Sequence, residues 1–123
     1  MAGYLTTHAA NAILNGSPMP TTFYASGALD DPGNAGTANS SAETRRAGFS
    51  LAEASSGLAA NGSVGSITAV AASETWTHLV LWDAPSGGNS WWIVPLSAPV
   101  AVTAGHTVRI AAGAVELALA VWS

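Results

Sequence analysis

The chain has 123 residues, 49% hydrophobic and only 8% charged, with a formal net charge of −4. Its basic side chains are Arg45, Arg46 and Arg109; lysine and cysteine are both missing. That balance excludes a nucleic-acid binder, which needs clustered cations, and it excludes disulfides, thiolate metal sites and a cysteine nucleophile.

In chain order, residues 3–15 are expected to form a short helix. Leu5, Ala9 and Ile13 recur at helical spacing with Ala12 beside them, and Asn15-Gly16 followed by Pro18 and Pro20 ends the run. This reading makes 1–16 an N-terminal helical appendage and 21–123 a β-sandwich, within one domain over 1–123. The β-branched and aromatic stretch "TTFYASGAL" predicts a strand from Thr21, and "DDPGNAGTANSS" predicts an exposed loop over 30–41. A strand is expected at 45–54 with Ala47, Phe49 and Leu51 inward, and a less regular one at 62–72.

The segment 76–96, "WTHLVLWDAPSGGNSWWIVPL", holds four of the five tryptophans. It predicts a hairpin turning at "PSGG". Alternation puts Trp76, His78, Val80 and Trp82 on one face of the first strand and Thr77, Leu79 and Leu81 on the other. Apolar groups on both faces call for cover on both sides. Trp91 and Trp92, as strand neighbours, are expected to face opposite ways, one into the core and one toward a partner. Pro95 and Pro99 restrict the following stretch to edge or bulged geometry. "APVAVTAGHTVRI" and "AVELALAVW" complete an all-β, antiparallel sandwich of jelly-roll type with a short N-terminal helix.

These segments, with "ALDDPGNAG", "ETRRAGFSLAEASSG", "WTHLVLWDAPSGGN" and "AVTAGHTVRIAAGAVELAL", resemble the small bacteriophage virion proteins of the phage tail fibre or minor tail type. The likeness spans nearly the whole chain. It departs at Gly105-His106, where such proteins carry Gly-Asp, and at the tryptophan-rich "SWWIV". The resemblance implies a non-enzymatic structural part of a phage virion, assembled in the bacterial host cytoplasm, with capsid or tail proteins as partners. With no heptads and no stalk repeat, the chain is expected to be a capsid decoration or minor tail module rather than a long fibre, and a homotrimer suits either place.

The chemistry-bearing residues support no catalytic site. There is no nucleophile elbow, and His8, His78 and His106 show no metal-ligand spacing. His78 is expected to be a buried or interfacial imidazole, and His106 a solvated turn residue. Asp30, Asp31 and Asn34 offer hard oxygen ligands but not in the order of a calcium loop, so a plain solvated turn is expected. No cofactor, metal, nucleic acid, membrane partner or secretion leader is expected: no run of 18 apolar residues occurs, and "MAGYLTTHAANAILNG" shows neither a basic segment nor a continuous apolar one. The tryptophans admit three roles: core, subunit interface or glycan stacking. Ser90, Ile93 and Val94 beside the indoles favour protein over sugar. The expected interface residues are Trp91, Trp92, Trp122, Arg45, Arg46 and His78.

Overall fold

The structure is a computed structural model, and it describes residues 2–54 and 58–118. It is mostly β with one short helix. The elements are β1 (Ala2–Leu5), α1 (Thr7–Leu14), β2 (Thr22–Ala28), β3 (Ala47–Ser50), β4 (Leu58–Ala60), β5 (Gly65–Ile67), β6 (Glu74–Trp82), β7 (Ser90–Val102), β8 (Val108–Ile110) and β9 (Glu116–Ala118).

The predicted helix over 3–15 begins later, because Thr6 fixes its start. The Thr6 side chain accepts from the Ala9 N–H at 3.2 Å and donates to the Ser90 carbonyl at 2.6 Å. That is an N-cap, and it leaves the residues before it free to pair. They do so as β1, antiparallel to β7 through Tyr4↔Ile93 and Leu5↔Trp92 and parallel to β9 through Ala2↔Glu116 and Gly3↔Leu117. Within α1 the stripe Ala9, Ala12 and Ile13 packs on the core as its spacing predicts. Gly16, at φ +86°, takes the left-handed turn after the helix.

Seven strands form one sheet in the order β3-β2-β6-β7-β1-β9-β4, and β5 with β8 forms a second, two-stranded sheet. The outer strands of the large sheet are joined. Leu51 bridges Asn61, the Ala52 N–H donates to the Ala60 carbonyl at 2.7 Å, and the Gly62 N–H donates to the Ser50 carbonyl at 2.8 Å. Asn61, fully buried, ties in the neighbouring turn by donating to the Ala111 carbonyl and accepting from the Val115 N–H.

The register assigns Phe23, Ala25, Phe49, Leu79, Leu81 and Trp92 to the inner face, where Ile67 and Ile110 of the small sheet join them. The opposite face buries a smaller set, Ala28, Val80 and Ile93. Its cover is the 30–41 loop, where Gly36 (φ +76°) lies so close that a Cβ would come within 2.8 Å of Val80. Most of this loop is exposed, as expected, but Pro32 and Gly36 are buried.

Two irregularities overturn the simple alternation of the hairpin. Between Trp76 and His78 the register slips, with Trp76 opposite Val100 and His78 opposite Pro95. Trp76 therefore joins Leu79 and Leu81 in the core instead of sharing a face with Val80 and Trp82. Between Leu81↔Trp92 and Trp82↔Ser90 the ladder skips Trp91. An unpaired extra residue interrupts the two-residue period, so Trp91 and Trp92 both enter the same core.

Candidate interaction surface

Three of the four described tryptophans, Trp76, Trp82 and Trp91, are held by a hydrogen bond from the indole. Trp76 lies flat over Gly27, where any Cβ would collide with the ring, and its Nε1 donates to Glu74 Oε1 at 2.8 Å. Ser41 Oγ donates to the same carboxylate oxygen, and the Ala42 N–H reaches the other. Burial pushes the Glu74 carboxyl up, but these donors outweigh it and hold it below its ordinary value. Trp91 donates to Asp83 Oδ2 at 3.2 Å and meets the His8 ring edge to face at 5.4 Å. Trp92 is 1% exposed, and its Nε1 has no partner among the described residues.

Trp82 is different. Half-buried, it donates from Nε1 to Ser26 Oγ at 2.9 Å, while the Arg46 guanidinium sits 4.1 Å over its ring. Arg46 also donates to the Ala84 and Gly87 carbonyls at 2.7 and 2.8 Å, locking the hairpin turn to the strand end. Arg45 is equally engaged. It pairs bidentately with Glu43, Nη2 to Oε1 at 2.8 Å and Nε to Oε2 at 3.1 Å, and donates to the Thr68 and Ala69 carbonyls. Glu43 further accepts the backbone N–H groups of Arg45 and Ala71. The Arg45 side chain foremost, then those N–H groups, pull the Glu43 carboxyl from 4.5 to about 2 against the opposing effect of burial. This clamp ties the approach to β3 to the loop where Ala69 holds a left-handed φ of +51°.

The sequence-predicted interface residues therefore sit as follows. Trp91 and Trp92 are both buried in this chain's own core, which corrects the expectation that one faces outward; the bulge is the reason. Arg45 and Arg46 spend their donors within the chain. His78 is half-buried, its Nδ1 2.8 Å from Thr77 Oγ1. Trp122 lies outside the described residues. Among the described residues, Trp91 and Trp92 are buried and the Arg46 guanidinium covers a face of Trp82. Asp30, Asp31 and Asn34 stay in the turn. Asp31 Oδ1 accepts from the Gly33 N–H, and no group of three potential metal ligands occurs among the described residues.

One surface feature escaped the sequence reading. A cleft of about 410 Å³ opens between the second half of β7 and the 108–115 segment. Trp76, Leu79, Leu96, Val100, Val108 and Ile110 give it an apolar lining, and its single charged residue is Arg109. It exists because β1 pairs only with residues 92 and 93, leaving the rest of β7 without a strand on that side. Pro95 and Pro99 were the available signal, since proline is confined to edges and bulges.

Among the described residues, Glu43, Arg45, Arg46, Asn61 and Glu74 all bind loops and turns of this β-rich chain. The chain belongs to the family described as Podophage GP4 fiber I protein gp80, which matches residues 1–118. It is thus a phage virion structural protein of the fibre type, a component of the particle that associates with other particle proteins. No curated protein matches the chain. The match is to a fibre family, not to a minor tail or decoration family.

Proposed function

We propose that this chain is a non-enzymatic building block that oligomerises as a homotrimer on the particle surface, on the tail side, acting as one folded unit. The observation that carries the reading is a surface with few ions and many isolated apolar side chains. Leu14 is 85% exposed, and Leu58, Val64 and Val100 are exposed as well, while no lysine is present to keep neighbours apart. Burial of that surface, at about 25 cal/mol per Å2, offsets the cost of association, and many copies on one particle add avidity. The fibre family supports the tail side.

Gold-labelled antibody on intact particles, with sedimentation velocity on the purified chain, tests this. Label at the tail and a three-chain mass are expected. Label on the head lattice, or a chain monomeric at every concentration, would overturn the proposal.

A further inference from the structure

We infer that the Arg109 cleft is the receiving half of a contact between copies, and that the Leu29-Asp30-Asp31 loop tip of a second copy is the inserting half. This rests on the reading of the chain as a self-associating subunit and names the surfaces that reading leaves open.

Charge complementarity selects the pair. Of the three arginines, Arg45 is engaged internally through Nε and Nη2 and Arg46 through Nη1, whereas Arg109 is exposed and has no hydrogen bond or ion pair among the described residues. It stands on β8 at the wall of an apolar cleft that contains no carboxylate. Such a site suits an apolar side chain that carries an acid beside it.

Among the seven acidic residues, Glu43, Glu74 and Asp83 are engaged internally. Glu53 and Glu116 are exposed; Glu116 lies within the β9 ladder, and Glu53 stands between small alanines. Only Asp30 and Asp31 lie beside an exposed large apolar residue, Leu29, at 41%. The hydroxyl pKa of Tyr4, also 41% exposed, is pushed up by burial foremost and then by the Asp31 charge.

The tip is also preorganised. Asp30 Oδ1 accepts from the Asp31 N–H at 2.8 Å, Asn39 donates to the Asp31 carbonyl at 2.8 Å, and the Leu29 N–H donates to the Asn39 carbonyl. Little ordering entropy is left to lose on docking. A cleft of this volume is large enough for a leucyl side chain and its turn.

Tip and cleft are different patches of one chain, so the contact is heterologous. Such contacts close into a ring when the rotation per step allows, and a third of a turn per step gives a trimer. The prolines at 95 and 99 fit side-chain docking here, because they deny a visiting strand part of the ladder.

The test is sedimentation velocity on the full chain and four variants. R109E and D30N/D31N are each expected to weaken association at least tenfold; the asparagines keep the acceptor oxygens that the turn uses. R109K is expected to retain association, R109E combined with Asp30→Arg to recover it, and about 1 M salt to weaken it in the unmodified chain. R109E that assembles as the unmodified chain does, or that is not rescued by Asp30→Arg, overturns this contact alone. An unmodified chain that never associates overturns the subunit reading as well.

Discussion

Replacing Glu43 by Gln tests the clamp that orders the approach to β3. The carboxylate is 5% exposed and accepts from the Arg45 side chain and from two backbone N–H groups. Glutamine keeps the shape but turns an NH2 group toward donors it cannot accept from. Holding a carboxyl at about 2 instead of 4.5 corresponds to about 3 kcal/mol in favour of its charged form. The guanidinium is half in solvent, at 52% exposure, and screening reduces the expected loss to about 1.5–2 kcal/mol. For a domain of this size that is a fall in Tm of about 5–8 °C at neutral pH. The folded pKa is depressed, so this stability is fully present above about 4.5 and is lost as pH falls through about 2. Thermal melts by circular dichroism at stepped pH should therefore show the gap between the two proteins closing across that window. An E43Q protein melting within about 1 °C of the parent at neutral pH would refute the reasoning, as would a gap that stays constant down to about pH 2.

Gly27→Ala drives a methyl into the Trp76 indole; a loss of about 3 kcal/mol is expected in urea unfolding, with a shift in tryptophan emission as the ring is displaced. Trp92→Ala empties a fully enclosed site and should cost about 3–5 kcal/mol in the same assay. Arg46→Ala removes a stacked cation and two carbonyl contacts. It should lower stability by about 1–2 kcal/mol and make Trp82 more accessible to acrylamide quenching, while Trp91 and Trp92 stay protected.

The strand content, the loop at 30–41 and the inward set Ala47 and Phe49 were readable from residue type and alternation. The failures have local causes. Residues 3–5 continue a helical spacing, and only Thr6, contacting Ser90 across the fold, shows where the helix begins. The tryptophan faces could not be read because two bulges break the period on which the reading depends, and a bulge is set by cross-strand register rather than composition. Glu43 precedes Arg45 closely enough in sequence for a local ion pair, whereas the Ala84 and Gly87 carbonyls that hold Arg46 come to it only through the fold. Fibre type was carried by the resemblance of segments such as "WTHLVLWDAPSGGN", while the lack of stalk repeats argued for a compact module rather than a long fibre.

The placement of β1 sets a schedule for the molecule's birth. β1 lies between two strands that are synthesised far later than it: Tyr4 waits for Ile93, and Gly3 waits for Leu117. Loops that long close slowly, so a nascent chain holds β1 unclaimed until β7 and β9 have been translated. A copy translated only as far as β6 then has neither the Val108–Ile110 wall of the cleft nor the β7 partner of Tyr4.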